Sequence, residues 1–529
     1  MRLFLSILPG SLRFDPNPVP QLKLSRPAGP VSSLLVLVLH GLLPVAPTAA
    51  AAADQPQWGE AWTRNQVSAE TGLASDFDLE TGKNIQWKAE IGTQTHSTPI
   101  ISGGRVYVGT NNGNPRDPKH EGDRGVMMCF DEKDGKFLWQ LVVPKRVEDR
   151  YFDWPDTGMS SPATVEGDRV YTVTNRGEVV CLDARGLANG NDGPYQDEGR
   201  HMSPADQPPM VPGPLDADIL WICDLTKEAG IWSHDGAHSS ILIRGNHLYL
   251  NTGTGVDNTH RLVRTPDAPG LLVLDKESGR ILARDREKTA PEIFHATWSS
   301  PSMATIGGRD HIFFCGGNGL VYSFNPLDPA TSAGEVQTLK KDWVFDPDPD
   351  APKREVHRYT TNRQEGPSDI FGMPVYQNGR LYIASGGDIW WGKNESSLQC
   401  VDVSGAAPAL LWKCPLGKHV LSSASIAGDL VFIADSEGTV FCLNGRTGRP
   451  HWTAEMKGEF WASPYVADGR VYLGTRRGDF RIFALSTEKK ELFQKDLQSP
   501  ISATVTAANG AFYIATMKEL ICVRKAEPK

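Results

Sequence analysis

Residues 421–452, LSSASIAGDLVFIADSEGTVFCLNGRTGRPHW, and residues 461–493, WASPYVADGRVYLGTRRGDFRIFALSTEKKELF, state one pattern twice. Each runs from a small-residue pair through an apolar segment, a Gly turn and a β-branched run carrying an aromatic. A second Gly turn, a third apolar run, a polar turn and a fourth strand follow. Short apolar runs between Gly-rich turns predict strands rather than helices. Four such strands in roughly 40 residues, repeated, is the period of one propeller blade.

Working outward, the second-strand aromatic recurs as Tyr107, Tyr171, Tyr249, Phe313, Tyr382, Phe432, Tyr472 and Tyr513, which makes eight copies. The third strand ends in a small residue, an apolar one and Asp or Asn, as in CFD at 129–131, CLD at 181–183 and CLN at 442–444. That terminal side chain can bond its own backbone two residues on and so start a turn. The fourth strand carries Trp87, Trp139, Trp221, Trp343, Trp412 and Trp452, with Phe493 in the seventh copy. Large flat side chains of this kind pack one sheet against the next.

The two ends are incomplete in complementary ways. NIQWKAEI at 84–91 is a fourth strand with no blade before it, and ICVR at 521–524 is a third strand with none after it. Pairing them closes a ring and removes two open edges. The expected fold is all-β: one eight-bladed β-propeller of four-stranded antiparallel blades over 84–525. A lead-in at 54–83 precedes it and a tail at 526–529 follows.

Residues 1–53 read as an export segment, with an apolar stretch at 33–45, a run of small residues before Asp54, and Arg2, Arg13, Lys23 and Arg26 ahead of both. A retained N-terminal anchor is the alternative. The next cysteine is Cys129, so a lipid anchor is not expected. A periplasmic or secreted address follows, with no later segment apolar enough to cross a bilayer. The 529-residue chain carries a net charge of −9. That balance argues against a nucleic-acid partner.

The pieces TGKNIQW (81–87), DGKFLW (134–139) and TGRPHW (447–452), each after a turn, resemble the tryptophan-docking repeats of the pyrroloquinoline-quinone (PQQ) propellers. The resemblance covers roughly 80–525 and is nearest to the non-enzymatic branch typified by the outer-membrane barrel-assembly lipoprotein. It implies a binding or scaffold module in the bacterial cell envelope. The other branch implies a PQQ- and calcium-dependent dehydrogenase of an alcohol or sugar. That branch often carries two adjacent cysteines, which this chain lacks. The docking pattern is a scaffold signature and carries no chemistry by itself.

Eight cysteines in an exported chain permit four disulfides by arithmetic. The repeat argues otherwise. Cys129, Cys181, Cys400, Cys442 and Cys522 occupy one blade position, where other copies have Val273, Ser323 and Ala484, so each lies in a different sheet. Neighbouring sheets stand about 10 Å apart, beyond the reach of an S–S bond. Bridges 181–223 and 400–414 remain as cross-strand exceptions.

Strand alternation puts the d–a and b–c connections on one face. The long insertions there, at 111–124, 145–157, 255–268, 286–294, 346–369 and 386–396, belong to blades one to five. Those at 186–218 and 326–336 fall on the other face. The residue before each innermost strand forms a column, His96, Met159, His238, Trp298, Phe371, Leu421, Trp461 and Ser502, expected to plug the channel mouth or to offer a flat ligand an aromatic platform. Candidate binding residues are His96, His238, Trp298, Trp461, Trp390, Trp391, His234, His260, Arg261 and His295. Asp388 and Asp235 are the candidate bases should a reaction occur there. Trp390 and Trp391, adjacent in an extended segment, are expected to point opposite ways, one of them into the cleft. No local metal-ligand spacing is present, so no metal site is expected, and the DPDPD run at 346–350 lacks the spacing of a calcium loop. The partner expected on the d–a/b–c face is a protein or a small flat ligand.

Overall fold

The computed structural model describes residues 53–236, 239–332 and 334–526. The export segment expected at 1–53 lies, except for Ala53, outside the described residues, as does His238. Eight sheets account for all the strands of the described residues. In six of them four consecutive strands pair in chain order, as in blade six: Ser425–Ala427, Leu430–Ala434, Thr439–Asn444 and Pro450–Glu455; blade four does the same except that Gln337–Thr338, between its third and fourth strands, joins blade three. The eighth is shared. Ile85–Glu90 pairs antiparallel with Glu519–Arg524, with Trp87 opposite Cys522, so the first strand completes the last blade.

The repeat is visible as one recurring triple across the sheets. Tyr107 faces Cys129, which faces Trp139. Phe432, Cys442 and Trp452 form the same triple in blade six. In blade seven the middle member is Ile482, paired with Tyr472 and Phe493, and not Ala484. A register read by eye slips two residues there because the RIFAL run offers two apolar positions on one face.

Five of the six fourth-strand tryptophans are bonded to the following blade. The indole N–H groups of Trp87, Trp139, Trp221, Trp412 and Trp452 donate to the carbonyls of Glu132, Ala184, Lys276, Gly445 and Ser486 at 2.8–3.1 Å. Four of these rings press on turn glycines: a Cβ at Gly135, Gly186, Gly279 or Gly448 would collide with Trp87, Trp139, Trp221 or Trp412. Burying an aromatic side chain of this size removes on the order of 150–250 Å² from water. At about 25 cal/mol per Å² that stabilises each junction by roughly 4–6 kcal/mol before entropy is counted.

Blade three lacks the tryptophan and has Ala283 opposite Val273. Its outer strand instead gains a fifth, parallel neighbour, Gln337–Thr338, and Leu339 N donates to Arg284 O at 2.9 Å. The insertion at 326–336 delivers this strand, so backbone pairing replaces indole docking.

The lead-in is a belt across the end of the channel, and nothing in the repeat foretells it. Gln55 exchanges backbone bonds with Ile101 of blade one, and Pro56 O accepts from Val165 of blade two. Trp62 reaches Ile243 and Met303, Thr63 reaches Tyr376, Asn65 reaches Ile426, Gln66 reaches Val466, and Glu70 reaches Gly510. Every blade is therefore bonded to residues 55–70. At its centre Arg64 is fully buried and donates to the carbonyls of Trp58, Ser240 and Pro301 and to Ser240 Oγ. Burial pulls its pKa down to about 9.

All eight cysteines are free and buried. The cross-strand exceptions do not form. Cys181 lies opposite Trp221 while Cys223 lies opposite Val179, and Cys400 lies opposite Trp412 while Cys414 lies opposite Leu398. Each pair is thus diagonal rather than facing.

Candidate functional site

On the d–a/b–c face a cavity of about 490 Å³ opens at the mouth of the channel. Six members of the column, His96, Trp298, Phe371, Leu421, Trp461 and Ser502, line it. The belt residue Trp58 forms part of the lining, and the column rings stand around this space. Met159 is fully buried behind the lining.

Three loops of blades two to four are stitched together beside this cavity. Ser233 bridges Thr254, Gly255 bridges Ala296, and Val256 N donates to His295 O at 2.9 Å. Gly255 is required at the crossing, because a Cβ there would press on His234 Cβ and on the His295 carbonyl. His260 is presented by a turn in which Asp257 Oδ1 accepts from the Thr259 N–H and hydroxyl. Asp235 and His260 hold left-handed backbone angles, φ 57° and 53°. Such angles at non-glycine residues are stored where surrounding structure insists on them.

The stitching brings His234, Asp235, His260 and His295 together, and Asp388 joins them. His234 Nε2 lies 3.1 Å from His260 Nε2 and 3.6 Å from Asp235 Oδ1. His295 Nε2 lies 3.2 Å from Asp235 Oδ2, and His295 Nδ1 lies 2.7 Å from Asp388 Oδ2. Asp388 is itself fixed, since its Oδ1 accepts from the N–H groups of Trp390 and Trp391 at 2.9 and 2.7 Å. That turn overrides the expectation for the tryptophan pair. Wrapped around the Asp388 carboxylate, residues 388–391 are not extended, and both indoles line the cavity. Arg261 is exposed and outside the lining.

Charge in the cluster is sharply divided. Burial pushes the His234 imidazolium down to about 4, despite the neighbouring Asp235. Burial also opposes a charge on His295, but the Asp388 carboxylate and the bonds from both aspartates outweigh it and raise its pKa to about 10. Asp388 is held below the ordinary carboxylate range by His295 and the two N–H groups, against its burial. Asp369, wholly buried and with neither carboxyl oxygen bonded, is raised well above that range by burial and by the Asp388 charge. His295 is thus an imidazolium between two carboxylates, with a neutral acid behind them.

Around this cluster the aromatic rings meet edge to face. Trp390 stands at 84° to both His295 and Trp298 and at 83° to Trp461. His96 stacks on Trp461, whose other neighbour is the Arg476 guanidinium, 4.0 Å from the ring centroid. Trp154, Glu459 and Arg476 line the cavity without having been singled out in the sequence. Arg476 sits in the tight turn of blade seven, where nothing marks a site. Two of the three DPDPD aspartates have lysine partners: Asp348 meets Lys393 at 2.7 Å and Asp346 meets Lys353 at 3.1 Å.

The family model described as outer membrane protein assembly factor BamB matches residues 123–187 and 394–511. The chain fits the PQQ-like propeller family. BamB of Burkholderia pseudomallei is 27% identical over 97 residues, 18% of this chain and 25% of that protein. The lupanine 17-hydroxylase [cytochrome c] of a Pseudomonas species is 23% identical over 385 residues, 64% of this chain and 52% of that one. The chain thus spans a quarter and about half of the lengths of these two curated relatives. Among solved structures, a europium-containing methanol dehydrogenase superposes with a TM-score of 0.55 at 12% identity, covering 88% of this chain and 89% of that one. The segments matched by the family model omit 188–393, which contains His234, Asp235, His260, His295, Asp388, Trp390 and Trp391. The match carries the scaffold and not the cluster.

Proposed function

We propose that this PQQ-like propeller is an exported binding module of the cell envelope, and that it holds a small ring-shaped ligand in the channel-mouth cavity. The observation that supports this most is the lining: Trp58, Trp154, Trp298, Trp390, Trp391 and Trp461 surround one space with Asp235, Glu459, His260 and Arg476 at intervals. Apolar faces with a few convergent polar groups suit a ligand with an apolar ring face and a hydroxylated edge, such as a sugar ring. The export address is an expectation from residues 1–53. Among the described residues no helix is long and apolar enough to cross a membrane.

A second reading, a quinoprotein dehydrogenase of an alcohol or sugar, draws on the likeness to lupanine 17-hydroxylase. The cavity suits PQQ poorly. That cofactor is a planar tricarboxylate, and His295 is already held between two aspartates. Asp235 and Glu459 add like charge.

Tryptophan fluorescence under titration with mono- and oligosaccharides, and separately with PQQ plus Ca²⁺, tests both. A saturable sugar signal that Trp298→Ala removes is the expected result. Saturable PQQ binding with dye reduction by alcohols would replace the binding reading with the enzymatic one.

A further inference from the structure

We propose that His234, His260, His295 and Asp235 form a binding site for a late first-row divalent cation such as Zn²⁺ or Co²⁺. The site goes beyond the ligand-binding reading and stands without it.

The argument begins with spacing. Ligand atoms bound at roughly 2.0–2.2 Å around one ion lie about 3.0–3.5 Å from each other in octahedral or tetrahedral arrangements. The three near distances in the cluster are 3.1 Å between the Nε2 atoms of His234 and His260, 3.6 Å from His234 Nε2 to Asp235, and 3.2 Å from His295 Nε2 to Asp235. One donor atom from each of the three histidines can be chosen so that all lie within 4.8 Å of one another. These three contacts have the edge lengths of a coordination shell, with Asp235 offering one oxygen to His234 and the other to His295.

Orientation supports the same reading. A ligating histidine characteristically gives its second ring nitrogen to a carboxylate, which fixes the ring and its tautomer. His295 does so: Nδ1 is held by Asp388 at 2.7 Å, and Asp388 is anchored by two backbone N–H groups. Nε2 is left aimed at the cluster. A bound ion would take the place of the Nε2 proton that His295 shares with Asp235.

The donors also sit where an ion could act. Asp235, His260 and His295 line the cavity, whereas His234 is buried behind them. An ion held there keeps one side toward whatever occupies the cavity, and three imidazoles with one carboxylate favour Zn²⁺, Co²⁺, Ni²⁺ or Cu²⁺ over Ca²⁺ and Mg²⁺. The residues come from three loops, so no local motif announces them.

The test uses the full chain, free of any histidine tag. Protein stripped with EDTA is titrated with Co²⁺ while the visible d–d bands are followed, and Zn²⁺ is then used to displace the Co²⁺. One equivalent should bind. His260→Ala, at a half-buried turn, should weaken Co²⁺ affinity at least about 100-fold while leaving the thermal transition of the metal-free protein in place. Asp388→Asn, which touches no metal, should weaken it about 10–100-fold and shift the d–d bands. X-ray absorption on the wild-type zinc form should count imidazole ligands, a readout that needs no variant. Absence of Co²⁺ and Zn²⁺ binding by the wild type would leave a hydrogen-bonded cluster and overturn the proposal. So would His260→Ala binding Co²⁺ like the wild type. Sugar titration of the EDTA-treated protein is scored separately, so failure of the ligand reading and failure of the metal site are distinguishable.

Discussion

Blade six and blade three share one plan and differ in what they do with it. Blade six has its tryptophan, Trp452, docked on Ser486 O, and tight turns on both faces. Blade three has Ala283 in that place, a fifth strand on its outer edge, and a b–c insertion that carries His260 into the cluster. The contrast teaches where new chemistry is affordable on a repeat. Junction energy in blade six comes from a side chain. In blade three it comes from an inserted strand, and the loops on the opposite face are tied by backbone bridges at 233–254 and 255–296.

The largest test of this contrast removes what both blades depend on. Deleting 53–92 strips the belt from all eight innermost strands and the closing strand from blade eight. The expected outcome is loss of any cooperative thermal transition by circular dichroism. A truncated chain melting within a few degrees of the intact one would show that ring closure and belt are ornamental.

Smaller, but on the same axis, is a pair of tryptophan changes. Trp452→Ala in the plain half should cost roughly 3–5 kcal/mol in urea unfolding, the usual range for emptying a buried aromatic site. The double change Trp390→Ala and Trp391→Ala should alter stability far less, because Trp390 is 36% exposed, while abolishing ligand binding. Equal losses of stability would erase the distinction between scaffold and site. Retained binding in the double variant, with loss on trimming 186–218, would move the working face to the other side.

These two halves were unequally legible in the sequence. The strand count and the docking tryptophans could be read because each recurs from blade to blade and packing makes the repeat obligatory, and the single ring closure could be read because the repeat leaves one strand unmatched at each end. The cluster could be read only as a set of loop residues. His234, His260 and His295 are separated by 26 and 35 positions and lie in three connections, so only the backbone bridges reveal that they meet. The belt at 55–70 has no copy elsewhere, and a fully buried arginine satisfied by carbonyls has no pattern to search for.

The insertion at 186–218, on the far face, is read here as structural, and pH separates it from the site. Its helix Glu198–Met202 places His201 Nε2 2.9 Å from Glu178 Oε2 on the third strand of blade two. Burial raises the Glu178 pKa, but His201 and Arg176 outweigh it and bring it down to about 2 from 4.5. A carboxyl depressed in the folded state contributes stability that is complete above its unfolded pKa and lost as pH falls toward the folded one. The pair should therefore add a few kcal/mol above pH 4.5 and lose it between 4.5 and 2. Glu178→Gln should lower stability at neutral pH and flatten that acid limb. An unchanged limb in the variant would mean that the insertion is not held through this pair.

The smallest expected effect is none at all. Reductant should leave the melting point of both halves unchanged, and denaturing, non-reducing alkylation should label all eight cysteines. Register is the reason. The Cys181/Cys223 and Cys400/Cys414 pairs are diagonal neighbours across a strand pair, a relation that sets Cα atoms about 7–8 Å apart. Disulfides span at most about 6.8 Å between Cα atoms without backbone movement. The position directly opposite Cys181 and Cys400 is taken by the docking residues Trp221 and Trp412, so closing either bridge would have to displace an indole from its junction. A native disulfide typically stabilises by about 2–4 kcal/mol. Its reduction would therefore lower the melting point visibly, and a mass spectrum with fewer than eight labels would identify the blade in which the strand register differs from the one described.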